Sequence, residues 1–255
     1  MDGSELKGGV PAPAIARAQD QLFAPGRSAR EKYAALVIGR PGFGAMLKYE
    51  TIVMLSQSCP GALGLALRKS LYPMLLGACG RNVVFGQNVV LRHPHKIRIG
   101  DNVVIDDNCL IDAKGESNAG IRIGNGVFIG RNSILSCKNG DIDIDDGANI
   151  GFNCELFSAS TVRVGANVLI AAYAYVVGGD HDFSDPTKPV LEQARVSAGV
   201  SIGAGAWVGA GAKILDGVTI GERAVIGAAA VVRTDIAAGA VAVGIPARVV
   251  SGGHD

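Results

Sequence analysis

Residues 202–232 read IGAGAWVGAGAKILDGVTIGERAVIGAAAVV, and an aliphatic residue returns at every sixth place: Ile202, Val208, Ile214, Ile220, Ile226 and Val232. Four residues after each comes a second inward candidate, usually small: Ala206, Ala212, Val218, Ala224 and Ala230, with Ile236 the exception. A period of six matches neither a helix, at about 3.6, nor a simple alternating strand, at about 2. It fits a triangular parallel coil in which each unit makes one flat side and one corner. The aliphatic points inward, the small residue tucks beside it, and Gly or Asn takes the turn.

The same pattern runs back through the chain. Ile99, Ile105 and Ile111 keep it, and the phase survives to Ile123, Ile129 and Leu135. Ile144, Ile150 and Leu156 form a further run, as do Val164, Ile170 and Val176, while Val84 and Val90 begin the series. Three units make one coil, so Val84 to Gly244 holds about eight coils. At a strand spacing of ~4.8 Å the prism stands roughly 40 Å tall. The fold class expected is an all-β solenoid, a left-handed parallel β-helix over residues 81–250, with a helical segment before it.

Composition agrees. The 255 residues include 36 Gly, about twice the usual share of roughly 7%. Aromatics are 5% and charged residues 18%, against a usual ~25% charged. The apolar fraction of 48% excludes disorder, and a net charge of +1 argues against a nucleic-acid binder. The five cysteines lack CxxC spacing, so neither a disulfide framework nor a zinc site is expected, and a reducing cytoplasm is the natural home. Cys109 and Cys154 occupy the small inward position and read as buried hydrophobes. No secretory signal is read at Met1 to Val10, and Arg68 and Lys69 interrupt the apolar run Ala62 to Cys79.

Residues 1–80 read as a flexible N-terminus followed by a helical cap. Residues 1–27 are rich in Gly, Ala and Pro and are expected to be poorly ordered. Ser28 starts a helix to Ile38, which Arg40-Pro41-Gly42 ends. Phe43 to Ser58 carries Phe43, Met46, Leu47 and Ile52 at near-helical spacing. Gly61 to Gly77 places Leu63, Leu67, Leu71 and Leu75 on one stripe, with Pro73 bending it. The role expected is to cover the open end of the first coil. A membrane-surface role, using Lys48, Arg68 and Lys69 beside apolar faces, is the alternative.

Function in a regular scaffold sits where regularity fails. The gap from Val176 to Ile202 exceeds what the phase allows and holds the loop 177–195, with Gly178-Gly179-Asp180-His181-Asp182 near its start. Glycines and Asp185-Pro186 mark it as an exposed loop, in which His181 by placement alone reads as a solvated imidazole. Asp180, Asp182 and Asp185 around it either bind acceptor hydroxyls or solvate the loop. A second cluster, Arg92-His93-Pro94-His95-Lys96, reads as a solvated corner, with docking of an anionic saccharide as the alternative. The dinucleotide-like glycines of Gly203 to Gly211 recur as repeat corners and precede no helix, so they carry no nucleotide fold.

From about Ile144 onward the chain resembles the left-handed β-helix (hexapeptide-repeat) acyltransferases, and within them the galactoside, maltose and colanic-acid sugar O-acetyltransferases. The stretches that carry the resemblance are NIGFN (149–153), VGANVLIA (164–171), GGDHD (178–182), IGAGAWVG (202–209), GVTIG (217–221) and VGIPARV (243–249). The resemblance implies an acyltransferase that uses acetyl-CoA or another acyl-CoA, needs no metal, works as a homotrimer and acylates a sugar hydroxyl. It implies His181 as general base and Asn153 facing it across a subunit boundary, although Asn153 also reads simply as a corner Asn. Glu192 sits two places from where the family's acid aligns and could orient the imidazole. Trp207, Ala210, Ala228, Arg233, Thr234 and Arg248 fall at CoA-binding positions, and Asp180 and Asp182 at the acceptor. The chain departs from the pattern with Arg233-Thr234 where Thr-Lys is common, and with Ala210 in place of a frequent Ser. Acylation of an amino sugar and a non-catalytic scaffold are the competing readings. A γ-type carbonic anhydrase would need three zinc-binding His, and His93, His95, His181 and His254 lack that pattern.

Overall fold

A computed structural model describes residues 10–11, 22–23 and 25–252. The repeat folds as the sequence implies, into three parallel sheets that form the sides of a left-handed β-helix. Face I has seven strands, from Ala78–Cys79 to Thr219–Ile220, and face III has seven, from Val90–Arg92 to Val231–Val232. Face II has nine, from Val84–Phe85 up, and its last strand, Arg248–Ser251, runs antiparallel to Val241–Val243. The sixth-place aliphatics stack in register. On face I, Ile99 pairs with Ile123, then Ile144, Val164, Ile202 and Ile220. From Ile99 onward these ladders are fully buried, and so are the small partners from Val103 to Ala242, Cys109 and Cys154 among them. The first coil instead turns Phe85 and Leu91 inward and leaves Val84 exposed and Val90 part-buried, one place off the expected start. Burial pushes the Cys109 thiol up to about 11 and raises that of Cys154, so both are inert packing groups.

The corners explain the asparagines. Asn88, Asn108, Asn132 and Asn153 turn successive coils between faces II and III, all at positive φ from 54° to 61°. Asn tolerates this conformation because its short side chain bonds locally. Tyr173 takes the same corner one coil later at φ 63°.

Irregularity is concentrated on one edge. Six-residue spacing holds at every corner between faces I and II and between faces II and III. At the III–I edge it stretches between Leu91 and Ile99, Ile111 and Ile123, Leu135 and Ile144, Leu156 and Val164, and Val176 and Ile202. The even spacing of Ile111 and Ile123 looked like two repeat units in phase. Residues 113–120 are instead a loop, and no strand forms at position 117. The long 177–195 insertion is therefore the largest of five on a single edge.

Three helices precede the prism: α1 (Ala29–Tyr33, continued by a π-turn over Ala34–Ile38), α2 (Phe43–Ser56) and α3 (Gly61–Leu71). Ser28 caps α1 through a reciprocal box with Glu31. Tyr49 of α2 donates to Leu91 O at 2.8 Å, Tyr72 after α3 donates to Val89 O at 2.8 Å, and the Tyr72 and Phe85 rings meet edge-on at 5.2 Å. The leucine stripe is only partly right. Leu71 and Leu75 pack on the prism core, but Leu63 is exposed, and the buried face of α3 is Gly64 and Arg68. Likewise α2 buries Tyr49, Ile52 and Ser56 while Phe43 and Leu47 face outward. Arg68 is not a surface cation beside an apolar face. It is 1% exposed and donates to the carbonyls of Phe85, Ser56 and Cys59 at 3.0, 2.9 and 2.7 Å. Its fork satisfies carbonyls at the end of α2 and on the first coil, which an apolar residue could not do. The expectation of a poorly ordered segment at 1–27 falls mostly outside the described residues; within it, Val10–Pro11 forms a strand.

Candidate active site

The 177–195 insertion is a built hairpin. The face III strand Tyr175–Gly178 runs out into Asp180–His181, which pairs antiparallel with Arg195–Ser197, and Val10–Pro11 lies along the far side. Its root is pinned by Ser197 Oγ donating to Gly178 O at 2.9 Å. Asp216 accepts from Ala198 N and Gly199 N at 2.8 and 2.9 Å. Its tip is held by Gln193, which accepts from Asp185 N at 3.0 Å and donates to Asp185 O and Lys188 O at 2.9 and 3.0 Å.

His181 stands opposite Arg195 in this pair. It is half-buried, and its Nδ1 is buried with no hydrogen-bond partner among the described residues. The imidazole is thereby solvated in part only. Glu192 lies exposed in the turn Val190–Glu192 and makes no bond to that nitrogen. Asp180 accepts from the His181 amide at 2.7 Å and Asp182 from the Ser184 amide at 2.9 Å, so one oxygen of each carboxylate shapes the hairpin. The amide of Ser184 holds the Asp182 carboxyl below the usual carboxylate range, so it stays ionised.

The other residues fall into two groups. Asn153, Ala210 and Ala228 line the II–III edge, and Trp207, 50% exposed, stands on face II between Leu169 and Val225. Arg248 lies on the antiparallel strand that closes face II, opposite Val243. Arg233 and Thr234 sit exposed at the III–I edge, the edge that carries His181. Sequence reasoning missed an aromatic cluster beside Asn153: Phe152 meets Tyr173 edge-on at 5.9 Å, and Arg131 stacks over Phe152 at 4.9 Å. Tyr173 in an asparagine's place was the available signal.

A cleft of about 1280 Å³ opens between α1 and the first III–I corners. Here the solvated-corner reading of 92–96 fails. His93 is 6% exposed, donates from Nε2 to Ala35 O at 2.9 Å, and packs against Gly39, where a β-carbon would lie 2.5 Å from His93 Nδ1. Burial pulls its pKa down to about 4, so the ring is neutral. Lys114 and Lys138 line the cleft floor; burial lowers both, and Arg195 beside Lys138 lowers it further. Phe157 forms the end of the cleft nearest the hairpin, in reach of Gly179. Among the described residues no group of three His, Cys, Asp or Glu could hold a metal ion, and no helix is long and apolar enough to cross a membrane.

Residues 199–234 match the bacterial transferase hexapeptide family (six repeats), and residues 79–113 match the hexapeptide repeat of succinyl-transferase. Hexapeptide repeats of these two kinds therefore lie at both ends of the prism. The matches bear out the hexapeptide repeat read from the motifs. The chain is 33% identical over 160 residues to a probable acetyltransferase of Mycobacterium tuberculosis, covering 63% of the chain and 53% of that protein. It is 44% identical over 107 residues to nodulation protein L of Rhizobium leguminosarum bv. viciae, covering 41% and 54%. The chain spans about half the length of the curated relatives it matches. Its fold is similar to that of AntD, an N-acyltransferase from Bacillus cereus solved with dTDP and 3-hydroxybutyryl-CoA. The TM-score is 0.53 at 22% identity, over 78% of this chain and 91% of that one.

Proposed function

We propose that this protein is a CoA-dependent acyltransferase that moves an acetyl group from acetyl-CoA to a hydroxyl of a saccharide acceptor, working as a homotrimer. The observation that carries the reading is the His181 hairpin: a pinned, half-buried imidazole with an unpartnered nitrogen on the most elaborated edge of the prism. The relatives support the chemistry, one being named a probable acetyltransferase and the structural neighbour an N-acyltransferase bound to an acyl-CoA.

In this mechanism His181 takes the proton of the acceptor hydroxyl as its oxygen attacks the thioester carbonyl. Imidazole is the side chain suited to general-base work near neutral pH. The tetrahedral oxyanion forms, the C–S bond breaks, and the imidazolium returns the proton to the CoA thiolate. No covalent acyl-enzyme forms. The Asn153 amide stabilises the oxyanion or holds the acceptor, contributing the kind of fixed dipole that acyl transfer needs.

Separation of the residues supports the trimer. His181, Arg233 and Thr234 lie on the III–I edge, while Asn153, Ala210 and Ala228 lie on the II–III edge. A complete site therefore needs the edge of one copy beside that of another. Exposed Leu169, Trp207, Phe152 and Tyr173 supply apolar surface for such a contact. In the groove so formed Trp207 lines the acyl-CoA path, and small Ala210 and Ala228 let the pantetheine arm approach the backbone. Arg233, Thr234 and Arg248 meet the CoA phosphates.

The N-acylation of an amino sugar is the second reading, favoured by the likeness to AntD, and the same base serves it. Incubation with acetyl-CoA and a panel of mono- and disaccharides and amino sugars, read by mass spectrometry, tests both. An acetylated product with release of free CoA is expected, and no product with any acceptor would sink the proposal.

A further inference from the structure

We infer that the acceptor is acidic, and that its carboxylate, sulfate or phosphate docks on Lys114, Lys138 and Arg195 where the cleft meets the hairpin. The inference rests on the reading of His181 as the base, because it places the acceptor on that residue's edge.

Three observations converge on this place. First, the cations lie on one edge of the prism: Lys114 in the 113–120 corner, Lys138 in the next, and Arg195 in the hairpin two coils above Lys138. Lys138 feels both of the others as like charges and has no acid among the groups that act on it. Second, one terminal nitrogen of Arg195 is buried and makes no hydrogen bond among the described residues. A buried guanidinium donor without an acceptor is costly, and an anion on it would satisfy it. Third, two carboxylates that line the cleft, Asp112 and Glu31, are engaged elsewhere. Asp112 accepts from the Lys114 amide at 3.0 Å and faces Arg92 at 3.6 Å, Glu31 serves the Ser28 cap, and Glu116 is exposed. Lys96 is occupied too, donating to Gly115 O and Asn118 Oδ1 at 2.8 Å each.

The site also has the right neighbours. Arg195 stands directly across the strand pair from His181, so an acid held by its guanidinium lies beside the proposed base. Phe157 and Gly179 connect the cleft to the root of the hairpin, and the cleft offers room for a saccharide of more than one ring. Lys114 has Asp112 beside it, but a neutral sugar would leave Lys138 with like charges alone, whereas a uronic acid or a sugar phosphate would offset them.

Calorimetric binding of glucuronic acid, glucose 1-phosphate and glucose to the CoA-saturated protein tests the inference without requiring turnover. We expect at least one acid to bind about tenfold tighter than glucose, which is ~1.4 kcal/mol and the scale of one charged hydrogen bond. Which acid wins separates carboxylate from phosphate recognition. The preference should vanish in Lys138→Gln and in Arg195→Gln and persist in Lys48→Gln, on the outer helices. In the unaltered protein it should shrink when NaCl rises from about 0.05 to about 0.5 M. Equal binding of all three sugars, no binding of either acid, or a preference untouched by the variants and by salt would overturn it. A persisting preference in a protein that acetylates nothing would instead sink the acyl-transfer reading alone.

Discussion

Asn153 turns the II–III edge of the prism while His181 projects from the III–I edge, so the width of face III separates them within one chain. Two variants that each lack one of them should therefore complement. In mixed trimers, co-expressed Asn153→Ala and His181→Ala chains are expected to recover about a third of full activity, because one of the three sites in each such cyclic trimer has both residues intact. The measurement is acetyl transfer by purified mixed trimers, and activity no higher than either parent would exclude a shared site.

His181→Ala alone should lower kcat by roughly 10²–10⁴, the usual contribution of a general base. CoA should still bind, since its phosphates and pantetheine arm are assigned to other residues. Transfer rates and CoA titrations on the same preparation check this, and full retained activity removes His181 from the mechanism.

Arg68→Met should destabilise the protein by about 3–5 kcal/mol, because it leaves three carbonyls between α2, α3 and the first coil without their donor. Thermal or denaturant unfolding followed by circular dichroism reads the loss. Arg40→Met, on an exposed residue, is the comparison and should change little.

Stability should fall as pH drops from about 6.5 toward 4, and His93 sets the window. Its pKa is about 4 in the folded protein, because burial disfavours the imidazolium, and about 6.5 in the unfolded chain. Between those values the unfolded chain binds the extra proton, so acid favours unfolding; above pH 6.5 the group contributes no slope. His93→Asn, which suits the φ of 49° at this position, should flatten the dependence of Tm on pH. An unchanged slope would point to another group.

What could be read from sequence follows from what repeats. The inward residues were legible because identical neighbours above and below impose the same demand on Ile150, Ile170 and Val208. Even the exception Ile236 is buried. His181 was legible because it breaks the pattern, yet its partner across the hairpin was not, since pairing of Arg195 depends on tertiary register. The faces of α2 and α3 were misread because apolar residues cover both sides of those helices. Leu63 and Phe43 then look as inward as Ile52, and the residue α3 buries deepest is an arginine. At the 92–96 corner charge implied solvent, but α1 folds over the two histidines.

The five insertions on the III–I edge have a consequence for how such a chain changes over time. Coils stack through their flat sides, so residues added at that edge shift no pairing above or below. One margin of the molecule is thus free to lengthen, shorten or swap its contents while the remainder keeps a fixed gauge. Variation in specificity among descendants of this scaffold should accumulate along that margin, and a foreign loop spliced between Leu135 and Ile144 should leave the stack intact.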